Sequence, residues 1–310
     1  MTQKYDYQGV ITMEAKFKQH DDVLEQLVNE RSEEVTRLHK AQADHLKDIE
    51  TRGQAQLEAL KKTLPRDMVT VLENLDKMHS EAQDIAESHA DSAKVRLVES
   101  GPAPKDETAM HPGLAGGHLV APSSLGWFTP YYGTLHWSDG TVVWQGYNPG
   151  NIDLWVTCNG SGSGLFGTGA CSGTLIMDWW FTYNAPTNRN YAHTIYVPFH
   201  GFYIIYADDG FWTSKDARAR IDLSAVGYQY NYKPTGTTNV FDMGGDNINV
   251  NDRFDGWRTM YYSDLLGADR AYLRVSASFY VYARGSGSTA QLNFSDGNAN
   301  YLGIPWVYVD

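Results

Sequence analysis

The chain has 310 residues and a net charge of −12, so it offers no basic face for a nucleic-acid backbone. No apolar run approaches the ~18 residues of a membrane-spanning helix. The acidity is shared evenly: residues 1–100 hold 14 Lys/Arg against 20 Asp/Glu and residues 101–310 hold 11 against 17, leaving −6 in each part. What separates the two parts is aromatic content, because all nine Trp and 18 of the 20 Tyr follow residue 100.

Met1 to Val10 is polar and lacks the apolar core of a signal peptide. The expectation is synthesis in the cytosol without a signal peptide, with a place in a virion or outside the cell reached only after release. From Met13 to Thr63 there is no Pro and a single Gly, Gly53. Apolar residues from Phe17 through Leu24, Leu27, Val28, Val35, Leu46 and Leu57 to Leu64 recur at helical spacing. Arg31, His45 and Arg52 fall on or beside that narrow stripe. Lys61-Lys62 suits the negative end of such a helix, which would run about 75 Å at 1.5 Å per residue. Pro65 fits the first turn of a second helix and disfavours continuing the first. That second helix, about Arg66 to Val98, carries Met68, Leu72, Leu75 and Ala82 at coiled-coil steps, which makes these four the oligomerisation candidates. Either the two helices fold back as a hairpin around Thr63–Pro65, or Pro65 kinks one long stalk. Residues 1–99 therefore read as a helical stalk, with residues 100–126 as a Pro/Gly-rich linker.

Residues 127–310 read as an all-β head. Short stretches of period two lie at Thr141–Tyr147, Asp153–Cys158, Thr174–Tyr183, His193–Ala207, Ala217–Tyr232, Arg270–Arg284, Thr289–Phe294 and Tyr301–Val309. In Arg270–Arg284, Ala271, Leu273, Val275 and Phe279 share one face, while Tyr272, Tyr280 and Tyr282 share the other. About eight strands with no helical period among them predict an antiparallel sandwich of jelly-roll kind. The fold class is thus α+β in separate domains.

Cys158 and Cys171 flank a Gly/Ser-rich stretch. They are reduced thiols in the cytosol, or a disulfide across the loop if the protein matures outside; zinc motifs space their cysteines more closely. Asp246, Asn249, Asn251, Asp252 and Asp255 concentrate oxygen ligands that could surround a calcium ion. A loop held by Asx-turns explains the same letters, and no other cofactor is expected. His193 and His200 are seven apart in a strand and should face opposite sides. No Glu follows Glu107, which removes the residue many retaining glycosidases use. No nucleophile elbow or phosphate loop has the right surroundings, so no catalytic residue is assigned.

The aromatic surplus is the strongest functional signal, since Trp and Tyr offer large, rigid contact area with a polar handle. Tyr272, Tyr280, Tyr282, Trp137 and Trp144 are the candidate contacts to a ligand or subunit. Together these features predict a non-enzymatic structural and binding protein. Its helices oligomerise or anchor it to a fibre-like assembly, and its head binds a glycan, a cell-surface receptor or its own copies. The alternative is a released toxin with a receptor-binding head and helices that rearrange at a membrane.

Overall fold

Asp21 opens the long helix, its side chain accepting a hydrogen bond from the Leu24 amide at 3.1 Å. In this computed structural model, residues 9–12, 21–74, 125–138, 141–148, 151–208, 214–229, 235–295 and 300–310 are described. Helix α1 (Asp22–Thr63) has Lys61 and Lys62 in its last turn, where cations oppose the helix dipole. The chain is helical again over 66–74, with the Val69 amide bonded to the Pro65 carbonyl at 3.1 Å. Met68 is exposed and Leu72 is buried. Leu75 and Ala82 lie outside the described residues, as does the continuation that would decide between hairpin and kinked stalk.

The strands are β1 (Gly9–Thr12), β2 (Gly126–Phe128), β3 (Tyr132–Trp137), β4 (Thr141–Asn148), β5 (Asn151–Asn159), β6 (Ala170–Asn184) and β7 (Arg189–Asp208). They continue with β8 (Asp216–Tyr228), β9 (Thr235–Gly245), β10 (Asn247–Leu266), β11 (Arg270–Arg284), β12 (Thr289–Asn293), β13 (Tyr301–Gly303) and β14 (Trp306–Val309). The first sheet has the order β1-β3-β6-β11-β8-β9. The second is built around β7, which pairs with β10 over its whole length on one side. Its other side takes β12, β13 and β14 in turn. Beyond those lie β5 and then β4, while β2 lies beyond β14. All pairings are antiparallel, and the chain changes sheet at most of its connections, the habit of a jelly roll.

Period two explains the core. Met177, Trp179, Ile195, Val197, Val275 and Phe279 point between the sheets and are fully buried. A polar chain crosses one end of this core. The Tyr183 hydroxyl meets His193, whose other ring nitrogen faces the Tyr262 carbonyl at 3.2 Å. The Tyr262 hydroxyl bonds Asp264 at 3.2 Å and receives the Gly227 amide at 3.1 Å. Burial lowers His193 to about 4 against the pull of the Tyr262 carbonyl, so it is a neutral structural residue.

Two expectations need correction. The segment read as an oxygen-rich loop is strand β10: Asn249, Asn251 and Asp255 point to one face of the sheet and Asp252 to the other, while Asp246 sits in the turn before it. From Asp246 to Asp255 an extended chain covers about 30 Å, so the five side chains cannot converge on one calcium ion. The helix, in turn, read as a stalk in a domain separate from the head, is packed on the head. It lies along the outer face of the first sheet, antiparallel to β6, with Leu24 and Val28 packed against Tyr132, Trp180, Val226, Tyr228 and Tyr272.

Candidate functional site: the outer face of the second sheet

The pairing register places one row of side chains from each strand on the outer face of the second sheet. From β7 come Tyr196, His200, Phe202 and Tyr206. From β10 come Asn249, Asn251, Arg253, Asp255, Trp257 and Tyr261. Tyr301 of β13 stands opposite His200, Trp306 and Tyr308 of β14 stand opposite Tyr196 and Thr194, and Trp127 of β2 stands opposite Tyr308.

At one end of this face the rings form a continuous patch. Trp306 stacks on Tyr196 at 5.2 Å and meets Trp127 edge-on at 4.2 Å. Trp127 also touches Tyr308 at 4.8 Å, and Trp257 approaches Tyr196 at 6.0 Å. Tyr196 and Trp306 are buried floor residues, whereas Trp127, Trp257 and Tyr261 are 51%, 56% and 77% exposed. The indole N–H of Trp306 is buried without a hydrogen-bond partner, a costly state for a donor. Next along the strands the face turns polar. His200 and Asp255 pair at 2.8 Å, and the His200 ring lies 5.1 Å from Tyr301. Arg253, Asn251 and Asn249 follow, exposed or half-exposed. An aromatic floor beside hydrogen-bonding side chains suits a ligand with apolar ring faces and many hydroxyls.

The residues singled out from sequence fall elsewhere. Tyr272 is buried beneath α1, where its hydroxyl donates to Asp21 at 2.9 Å; burial and that bond push it up to about 12. It lies on the sheet's helix-bearing face. Tyr280 and Tyr282 are half-buried on that same face. Trp137 points inward against the core. Trp144 lies in β4 opposite Trp155 of the second sheet, and its side chain is outside the described residues. Trp127, Trp257 and Tyr261 were missed because β2 and β10 went unread, and Tyr196 and Trp306, in stretches read as strands, because the sequence does not show that their strands are neighbours. The period-two row Trp257, Thr259, Tyr261 was the signal that could have found β10. Cys158 and Cys171 form a disulfide with Cα atoms 5.8 Å apart, joining β5 to β6.

The helix-covered face holds a second polar constellation. Asp178 of β6 is fully buried. It accepts from the Arg31 Nε at 3.1 Å and from the Ser276 hydroxyl, and lies 3.6 Å from the His136 Nε2. Burial pushes its carboxyl up, yet Arg31, Arg274 and His136 outweigh this and hold it below the usual value. Glu34, exposed on α1, reaches Arg31 at 3.0 Å and Arg274 at 3.9 Å. Beside this cluster, a groove of about 450 Å³ runs between α1 and the sheet, over Val226, Tyr228 and Arg274.

No protein-family model and no curated protein sequence matches the chain. Among solved structures, the carbohydrate-binding module TmCBM61 in complex with β-1,4-galactotriose aligns at 9% identity, over 51% of this chain and 70% of that one, with a TM-score of 0.19. The module BiXyn10A CBM1 aligns at 13% over 55% and 79%, with a TM-score of 0.22. An isomalto-dextranase of Arthrobacter globiformis T6 complexed with panose aligns at 12% over 59% of this chain but 22% of the enzyme, with a TM-score of 0.21. At these scores the likeness carries no argument about what this chain binds. The chain's own topology defines its class: a jelly-roll-like antiparallel β-sandwich with one sheet face covered by a long helix.

Proposed function

We propose that the protein binds glycans without turning them over, through the aromatic and polar outer face of the second sheet. The observation that carries this reading is the half-exposed pair Trp127 and Trp257 over the Tyr196–Trp306 stack, continued by His200, Asp255 and Asn251. Tyr196 to Tyr206 spans about 33 Å of strand, room for an extended oligosaccharide. The net charge of −12 disfavours polyanionic glycans, so the ligand class is a neutral, linear glycan. The face is open to water, which fits binding better than a reaction needing a dry site. Attachment to a larger assembly is assigned to the helical end, where Met68 and Val71 are exposed. The disulfide fits a protein that works in an oxidising compartment, outside the cell.

The test uses soluble neutral polysaccharides and a glycan array with the full chain, followed by Trp127→Ala/Trp257→Ala. Binding to one neutral glycan class is expected, weakened about 30-fold or more in the double variant at unchanged melting temperature. Binding that survives the double change refutes the site. Chain shortening of the bound glycan refutes the non-catalytic part. A second reading, self-association, uses the exposed row Trp257, Tyr261 and Leu265 of edge strand β10. It is favoured if the double variant alters the mass in solution and no glycan is retained.

A further inference from the structure

Beyond the apolar contacts of Leu24 and Val28, helix α1 is held to the first sheet by charge and hydrogen bonds. Along its length Asp21 takes the Tyr272 hydroxyl and Arg270, Arg31 takes Asp178, Gln42 takes Thr174, and Glu50 takes the Gly169 amide at 2.8 Å. Two histidines are closed into this interface, His39 from α1 and His136 from β3, only 4% and 2% exposed. The His39 Nε2 and the His136 Nδ1 are buried without hydrogen-bond partners. The groups facing them are mostly cationic. His39 has His136 and Arg31 beside it, with the Trp137 carbonyl as its one acceptor. His136 faces Arg31 from α1, Arg274 from β11 and Asp178 from β6. Asp178 is the one buried carboxylate in the cluster, and the two guanidiniums already share it. The remaining carboxylate nearby, Glu34, is engaged at the solvent edge.

We propose that α1 is an acid-released clasp: protonation of His39 and His136 adds positive charge beside Arg31 and Arg274 and frees the helix from the first sheet while the sandwich stays folded. Burial first, then His136 and Arg31, pull His39 from 6.5 to about 4 in the docked state. Burial, with Arg31 and Arg274 beside it, lowers His136 against the pull of Asp178. Both rings are therefore neutral when docked; when the helix leaves, His39 recovers ordinary basicity, and His136 loses its burial and the Arg31 charge while Asp178 and Arg274 stay beside it. Their linkage has a definite sign. Docking is strongest above pH ~6.5 and weakens as pH falls from there toward about 4, because the undocked state binds more protons. For His39 alone, the change from pH 7.5 to pH 4.5 weakens docking about 70-fold. Release uncovers Trp180, Tyr228 and Tyr272 on the sheet and Leu24, Val28 and Val35 on the helix. That is the new apolar surface a rearranging protein would need, so this inference extends the toxin alternative and is independent of glycan binding on the opposite sheet.

Hydrogen exchange of the full chain, corrected for intrinsic rate and read between pH 7.5 and pH 4.5, tests the clasp. Amides of residues 24–53 are expected to lose protection about 70-fold or more while β7 and β11 keep theirs. In His39→Gln/His136→Gln the loss should shrink below ten-fold, since neither side chain then titrates. A wild-type loss below ten-fold overturns the proposal, as does simultaneous loss from β7 and β11. An unchanged loss in the double variant also overturns it and assigns release to carboxylates. Ring-proton NMR titration of the wild type needs no variant: both histidines should titrate below 6.5 together with release. Titration near 6.5 with the helix still protected overturns the clasp.

Discussion

Replacing Asp178 by Asn removes the one charge that two buried cations share, and its cost follows from the contacts. In the native protein the Arg31 and Arg274 side chains are 11% and 7% exposed, and the Asp178 carboxylate is wholly buried between them. The substitution keeps the shape but only one of the two acceptor oxygens that Ser276 and Arg31 use, and it leaves two desolvated guanidiniums with only the exposed Glu34 opposite. Breaking a buried pair by removing one partner costs about 3–5 kcal/mol, against a total stability of about 5–15 kcal/mol for a typical domain. If helix docking and sandwich melting are coupled, the melting temperature falls by about 6–20 °C for a domain of this size. Urea unfolding followed by Trp fluorescence, paired with thermal circular dichroism, reads both quantities. Arg31→Met added to Asp178→Asn should recover part of the loss, because it removes a charge left without a counterion. The pH dependence carries its own sign. Asp178 is held below the ordinary carboxylate value of 3.8, so its contribution is present above that pH and is lost as pH falls through the lower, folded value. The variant should therefore flatten the stability curve below pH ~4, and it should steepen the curve between 6.5 and 4, because His136 loses the pull of Asp178 and is lowered further. A loss of less than 1 kcal/mol, or no recovery in the double variant, refutes the electrostatic account of this interface.

Two further outcomes are expected. In Gly53→Ala, intrinsic helix propensity alone would favour Ala by about 1 kcal/mol. The added Cβ would meet the Phe166 carbonyl oxygen at 2.6 Å and the Thr168 methyl at 2.9 Å, in and beside the short 3-10 turn Leu165–Gly167, so the variant should lose about 1–3 kcal/mol; a gain in urea midpoint would mean α1 does not rest on that turn. Cys158→Ala/Cys171→Ala opens a cross-link between residues 13 apart, which should lower stability by about 3 kcal/mol, and reduction of the wild type should match it within error.

Most strands of the sandwich were legible because their apolar residues alternate and because Gly, Asn and Asp separate them. β1, β2, β3, β9 and β10 were not. The run from Asp242 to Gly256 is dense in Asp, Asn and Gly, residues that favour turns when judged alone. Here the twenty-residue pairing of β10 with β7 overrides that preference. The aromatic patch was lost with it, since Trp257 and Tyr261 owe their position to that pairing. Helix α1 was legible in extent but not in placement. Arg31 breaks its apolar stripe, which counted against close packing. Yet Arg31 is the residue that reaches Asp178, 147 positions along the chain, and a partner that distant leaves no local trace.

The doubly buried strand β11 shows how far a pattern carries. Apolar residues on one side and tyrosines on the other implied that both faces were covered, with a neighbouring subunit or a ligand over the tyrosines. At Tyr272 the face is covered by the chain's own helix, which seats that ring against Asp21 and Leu24, while Tyr280 and Tyr282 stay half-buried. Alternation along a strand reports that a face loses water and says nothing about what displaces it. The same limit bears on the opposite sheet. Trp127, Trp257 and Tyr261 remain half-exposed or more over a buried Tyr196–Trp306 stack, and among the described residues no helix lies across them. Exposed rings above a rigid aromatic floor, with hydrogen-bonding groups on the next turns of the pleat, leave that face apolar enough to attract a partner and polar enough to select one. Around Tyr272 and Trp180 the first sheet is thus a surface the chain closes for itself, and the patch on the second is one that no described helix covers.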